Sequence, residues 1–170
     1  YPLVTGVQTC ALPIWRIMVN LNDKMWYGFA YASALEGYRE GGIPIGAALV
    51  SHESEIGLIS VGHNRRVQRN SSIHHGETNC IENAGRQSAS TYANSTIYTT
   101  LSPCFMCAGT ILLYGIPRVV IGENQTFQQS EDLLRSHGVE VVVLDDEVTK
   151  TFFQLWCTEN PELWNEDIGV

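Results

Sequence analysis

Apolar positions recur along this chain with two different periods, and each period predicts its own set of elements. Over residues 22–42, NDKMWYGFAYASALEGYREGG sets Met25, Phe29, Ala32 and Leu35 at helical spacing. Asn22 or Asp23 is the expected N-cap and Gly41-Gly42 the expected stop. The short β-rich runs PIGAALVS and EIGLISVGHN, split by HES, predict a hairpin. Helical patterns follow over ETNCIENAGRQ, CFMCAGTILLYG and SEDLLRSH, alternating with strand patterns over STIYTTL, RVVIG and VEVVVL. A last helix is expected over DEVTKTFFQLWCTEN, capped near Asp145 or Asp146. The tail PELWNEDIGV holds Trp164 and several acids, and it is expected to fold back onto the body. The order α-β-β-α-β-α-β-α-β-α predicts an α/β fold. Helices should cover both faces of a five-stranded mixed, largely parallel sheet, giving a three-layer α/β/α sandwich.

Length and charge narrow this picture. The chain has 170 residues, enough for one domain with a single sizeable core. Hydrophobic residues make up 44% and charged residues 16%, a globular composition. No apolar run reaches the length that crosses a bilayer, so no membrane partner is expected. A formal charge of −8 with no Lys/Arg run argues against gripping phosphate backbones, so no nucleic-acid partner is expected.

The first residues stand apart. VTGVQTCALPI, residues 4–14, is what a common sequencing-library adapter encodes when read through in frame. Residues 1–17 are therefore expected to be a non-native leader, with one domain over 18–170. A signal peptide would need a basic start, and the first three residues offer none. Of the five cysteines, Cys10 falls in that leader, leaving Cys80, Cys104, Cys107 and Cys157. Without a secretion signal, the Cys104/Cys107 pair suggests a metal or redox site more than a disulfide framework. Cys80 and Cys157 read as small apolar core residues.

The chemistry concentrates in HGE at 75–77 and PCFMC at 103–107. Two cysteines three residues apart at a helix start point both sulfurs at one ion, and the helix N-terminus helps keep them ionised. With His75 they give three protein ligands, which leaves the fourth tetrahedral position of Zn²⁺ to water, as in catalytic sites. H-x-E…P-C-x-x-C is the signature of the zinc nucleobase deaminases, in which the glutamate is the proton shuttle and not a ligand. Glu77 is then the expected catalytic residue, and one Zn²⁺ per subunit the expected cofactor. A lone C-x-x-C more often belongs to a structural zinc site or a redox pair. Here no second pair closes a structural site, and a thioredoxin-like motif would follow the first strand, not the third. In SSIHHGETNC, His75 is in phase with Glu77. His74 is one residue out of phase and is expected to point away, against the loop over RVQRNSS.

GYREGGIPIGAALV, GHN, IENAGR, YTTLSPCFMCAGTILLYGIPRVVIGEN, EVVVLDD and WNEDIG extend the match over nearly the whole of 18–170. Through these stretches the chain resembles the fungal-type cytosine deaminases, small zinc enzymes of the cytidine-deaminase-like superfamily. The zinc motifs are shared across that superfamily, whereas GIPRVVIGEN and W-x-E-D-I-G are narrower. The resemblance implies hydrolytic deamination of free cytosine to uracil in pyrimidine salvage, by a zinc-bound hydroxide. It also implies roles. Asn64 and the Gly76 N–H would meet the base's carbonyl edge, and Asp167 would accept from its 4-amino group. Phe127 and Trp164 would stack over the ring, with Ile45 and Leu101 as apolar wall. Trp164 and Asp167 would form a lid that leaves little room for a ribose.

Phe105 departs from that family, where an acid stands, and is expected to face outward. His74, Thr78 and Asn79 depart too, without touching a required role. The competing readings are a tRNA adenosine deaminase, another nucleoside or nucleobase deaminase, and a non-catalytic zinc module. A homodimer through the apolar CFMCAGTILLYG helix and a cytoplasmic location complete the expectations.

Overall fold

The computed structural model describes residues 14–53 and 57–170, with side chains from residue 22 on. Of the expected leader, residues 1–13 lie outside the described residues, Cys10 among them.

The hairpin forms as expected. β1 (Gly46–Ser51) and β2 (Leu58–His63) pair antiparallel, with Gly46 opposite His63. β1 also pairs antiparallel with β3 (Ser95–Leu101) on its other edge. β3, β4 (Arg118–Glu123) and β5 (Glu140–Val143) then run parallel. The sheet is therefore mixed, in the order β2-β1-β3-β4-β5, antiparallel on the hairpin side and parallel on the other.

Strand residues alternate between two cores, as the period-two geometry of a strand requires. Ala47, Leu49, Ile97, Val119 and Ile121 face α3 (Gly76–Ala84), α5 (Phe105–Tyr114) and α6 (Glu131–Ser136). Ala48, Val50, Tyr98 and Val120 face α1 (Ile14–Arg39). Burial of each large aliphatic side chain in these layers stabilises the fold by about 1.5–3 kcal/mol, an upper figure. α1 lies close on β1 because small residues meet there: a Cβ on Gly46 would come within 2.2 Å of the Ala30 carbonyl oxygen. The same holds for α3 on β2, where a Cβ on Gly62 would lie 2.3 Å from the Cys80 nitrogen. These two glycines bring both helices, and with α3 the HGE motif, close to the sheet.

Two details of α1 differ from the sequence reading. The helix begins at Ile14 and runs through Asn22 and Asp23, so neither residue caps it. Asp23 is instead buried and receives both Nη groups of Arg118, at 2.8 and 2.9 Å, and the Tyr98 hydroxyl at 3.0 Å. That partnership ties the helix to the far end of the sheet, and an N-cap role would forfeit it. The inward face is Asp23, Tyr27, Ala30, Ala34 and Gly37, whereas Met25 and Phe29 are 53% and 41% exposed. Aromatic residues occur all round this helix, and the tightest packing selected the small ones.

α7 (Glu147–Glu159) is capped by Asp146, whose carboxylate accepts from the Thr149 N–H at 2.9 Å. The tail does fold back, and it does so as a helix, α8 (Pro161–Ile168), with proline in its first turn. Leu163 and Trp164 of α8 pack on a third cluster at the end of the sheet, formed by Ile43, Ile45, Leu101, Phe153 and Trp156. The described chain also holds two short helices that the pattern did not show, α2 (Arg66–Arg69) and α4 (Ala89–Ala93). No helix among the described residues is long and apolar enough to cross a membrane.

Candidate active site

Two helix starts meet beside the third cluster. His75 occupies the N-cap of α3, with Gly76 and Glu77 in its first turn. Cys104 occupies the N-cap of α5, and Cys107 lies one turn in. Both helices thus aim their positive ends at one point, which favours anionic ligands there. The ligand atoms of His75, Cys104 and Cys107 all lie within 4.8 Å of one another, and among the described residues no other such group occurs. His75 Nδ1 is 3.6 Å from Cys104 Sγ. A tetrahedral zinc with ordinary Zn–N and Zn–S bonds sets that edge at about 3.6 Å, so the residues present fit the ion.

Charge in the cluster follows from contact and burial. The hydrogen bond from the Cys107 thiol, helped by the His75 ring, pulls Cys104 down to about 4 against the opposing effect of burial. Cys107 is pushed well above the ordinary thiol range by its bond to Cys104 and by burial. Cys104 is thus the more acidic of the two thiols, and a bound cation would favour the thiolate of Cys107 as well. Glu77 is 3% exposed, and its Oε2 accepts from Cys107 Sγ at 3.3 Å. Burial, with the Cys104 thiolate beside it, raises the Glu77 carboxyl to about 7. A carboxyl that exchanges a proton near neutral pH is what a proton shuttle requires.

A cavity opens next to the cluster. Its walls include His75, Glu77, Cys104, Ile45, Leu101 and Phe127, and α8 closes it with Trp164 and Asp167. The Trp164 ring meets Phe127 edge-on at 5.8 Å and Phe153 at 5.2 Å, so the lid is held by aromatic packing. Asp167 Oδ1 accepts from Asn64 Nδ2 at 2.9 Å and from Arg66 Nη1 at 3.2 Å, and it lies 3.7 Å from His75 Nε2. Asn64 is fully buried, and its Oδ1 accepts from the Arg66 N–H at 3.0 Å. Gly76 is buried where α3 passes the Ile45 carbonyl.

The structure thus gathers every residue expected from the sequence into one place. Asn64, Gly76 and Cys107 stand just behind the cavity wall. Three residues were missed. Ser102 and Ile168 also line the cavity. Arg66 reaches both Asp167 and Glu166, the latter at 3.3 Å. Ser102 and Ile168 sit beside recognised motifs, but nothing near Arg66 names a partner a hundred residues away.

The doubled histidine divides in two, with the His74 side chain on Glu82 of α3 and not on the loop over RVQRNSS. His74 stays out of the ligand group; its Nε2 lies 3.3 Å from Glu82 Oε2 and its carbonyl accepts from the Arg65 N–H. Phe105 is 56% exposed, facing outward at the rim. Cys80 is fully buried, and Cys157 partly so.

Several known proteins are similar to this chain. The profile of the cytidine and deoxycytidylate deaminase zinc-binding region matches residues 21–123. A cytosine deaminase of Candida albicans is 48% identical over 151 residues, covering 89% of this chain and 99% of its own length. A tRNA-specific adenosine deaminase of Haemophilus influenzae is 36% identical over 155 residues, covering 82% and 87%. Among solved structures, a guanine deaminase from Nitrosomonas europaea shares the fold with a TM-score of 0.69 at 18% identity, covering 92% of this chain and 100% of its own. With these matches added to the His75, Cys104, Cys107 and Glu77 site, the chain belongs to the cytidine and deoxycytidylate deaminase zinc-binding family and is a zinc-dependent hydrolytic deaminase of that superfamily.

Proposed function

We propose that this enzyme deaminates free cytosine to uracil and ammonia, a pyrimidine-salvage reaction, as a homodimer in the cytoplasm. The observation that supports a free base most strongly is the α8 lid. Trp164 and Asp167 of α8 stand over the zinc cluster together with Ile45, Leu101 and Phe127, leaving a small cavity between them. Base and nucleoside alike would need the lid to move, and Trp164, packed on Phe127 and Phe153 at the cavity, favours the smaller of the two. The 48% identity to a cytosine deaminase points the same way.

Zinc held by His75, Cys104 and Cys107 supplies the Lewis acidity that makes water a nucleophile near neutral pH. The residues of the chain do the rest. Asn64 and the Gly76 N–H orient the base by its carbonyl edge, while Asp167 accepts from the 4-amino group. Phe127 and Trp164 cover the ring faces, and Ile45 and Leu101 exclude bulk water. Glu77 takes the proton from the attacking water and delivers it to the ring nitrogen. It then takes the second proton, from the new hydroxyl on the attacked carbon, and passes it to the amino group, so that ammonia leaves as the C–N bond breaks and the uracil carbonyl forms.

A tRNA adenosine deaminase is the second reading, since several relatives carry that name. The charge of −8 and the closed lid weigh against it. For the dimer, α5 presents Leu113, 78% exposed, with Tyr114 and Phe105. Zinc-loaded protein offered cytosine, cytidine, guanine and a tRNA hairpin in separate reactions should release ammonia from cytosine; deamination of cytidine or the hairpin in its place would refute the proposal.

A further inference from the structure

The turn that presents Cys104 is gripped from one side by three consecutive residues. Glu131 Oε1 accepts from Ser102 Oγ at 3.0 Å, Ser130 Oγ donates to the Pro103 carbonyl at 2.5 Å, and Gln129 Oε1 accepts from the Phe105 N–H at 2.9 Å. The pairing runs antiparallel, 102 with 131, 103 with 130 and 105 with 129. Cys104 is the residue of the turn that these three leave ungripped, and its sulfur belongs to the metal group. We propose that residues 129–131 are a brace that fixes the cysteine turn for zinc, with Glu131 and Gln129 as positioning residues.

Two physical arguments support this. An N-cap residue ordinarily satisfies a free N–H of the first helical turn, but Cys104 makes no such bond. Gln129 takes up a different free donor of the same turn, the Phe105 N–H at the first helical position, from outside the helix. Glu131 is the more costly feature, because a carboxylate only 2% exposed at a site where an aliphatic side chain could pack needs full compensation. It has that compensation: Oε1 accepts from Ser102 and also from Asn124 Nδ2 at 3.0 Å, and Oε2 from Arg135 Nη2 at 3.0 Å. Each bond fixes a direction that an apolar residue could not. The brace also continues the chain from Phe127, so it sets the zinc turn and the aromatic wall relative to each other. Partners bonded directly to metal ligands typically change metal affinity about 10- to 100-fold when removed. A brace on the residues flanking Cys104 is expected toward the lower end of that range.

The inference rests on the zinc site and not on which base is deaminated. The test uses the full chain and Zn²⁺ alone, in competition with a chromophoric chelator, together with the thiolate-to-metal absorption of the Co²⁺-loaded protein. Gln129 is exposed, so Gln129→Ala should fold; it and Glu131→Ala should weaken zinc binding on the order of tenfold or more and shift the Co²⁺ band. Glu131→Gln keeps an acceptor oxygen for Ser102 and Asn124 but loses the Arg135 pair, and should restore affinity in part. The exposed neighbour variant Gln128→Ala should bind zinc as the parent does. Gln129→Ala with unchanged affinity and spectrum would overturn the brace, as would Glu131→Gln binding as weakly as Glu131→Ala. A parent protein that takes up no stoichiometric zinc would instead refute the zinc site itself, so the two failures are distinguishable.

Discussion

Asn64 Nδ2 donates to Asp167 Oδ1 across 2.9 Å, joining the end of the hairpin to the C-terminal helix, 103 positions later. Asp167 lines the cavity and Asn64 is buried behind it; each is a partner of the other, beside the bonds both make to Arg66. Removal of one therefore leaves the other short of a partner. Asn64→Ala should lower kcat/KM for cytosine about 10- to 100-fold, the penalty for an unpaired buried polar group. Steady-state kinetics on the zinc-loaded protein check this, and an unchanged kcat/KM would remove Asn64 from the site.

Arg66 holds α8 by two carboxylates at once, Glu166 at 3.3 Å and Asp167 at 3.2 Å. Asp167 lines the cavity and Glu166 is its neighbour on the helix that covers it, so Arg66 helps to seat that helix. Arg66→Ala should raise KM severalfold, because Asp167 loses the cation that fixes it. Arg66→Lys should recover part of the loss, since a point charge lacks the two-pronged geometry. Equal KM values in all three proteins would show that aromatic packing alone seats the lid.

Much of this site was legible because its chemistry is local. His75 and Glu77 share one helix start, and Cys104 and Cys107 another, so residue spacing alone places four groups. The hairpin, the parallel strands and the Asp146 cap were legible for the same reason. The inward face of α1 was not. Its apolar residues run all round, and the choice of Ala30 and Ala34 over Met25 and Phe29 depends on the approach of Gly46 from another element. Arg66, Asp23 and Glu131 are invisible in sequence for a related reason: each is an ordinary charged residue until a distant strand or helix supplies its partner.

The acidity of Glu77 predicts a pH dependence in the metal-free protein. Its carboxyl sits near 4.5 when unfolded and about 7 when folded, so the folded state binds the extra proton. The contribution is fully present below about 4.5 and is lost as pH rises toward 7; it is on the order of 3 kcal/mol. Cys104, lowered to about 4, works in the opposite direction, so total stability does not isolate the effect. The difference between the parent and Glu77→Gln does. Metal-free parent should lose stability relative to Glu77→Gln between pH 4.5 and 7 in denaturant melts, and a flat difference would refute the assignment.

The adjacent histidines give a test of register. His75→Ala should abolish tight zinc binding, because it deletes one of three ligands. His74→Leu should leave zinc binding intact, because His74 pairs with Glu82 away from the cluster. Metal content after dialysis, read for both variants side by side, decides the matter. The reverse pattern would mean that the site is one residue out of phase.

The central claim is a zinc-dependent attack on a free base, with Glu77 moving the proton beneath a closed lid. Ammonia release from cytosine and from cytidine, measured for the zinc-loaded parent and for Glu77→Gln, tests it most directly. The account predicts turnover of cytosine by the parent, none of cytidine, and a loss of at least about 100-fold in Glu77→Gln with zinc still bound. Full activity in Glu77→Gln, or turnover of cytidine but not cytosine, would contradict it.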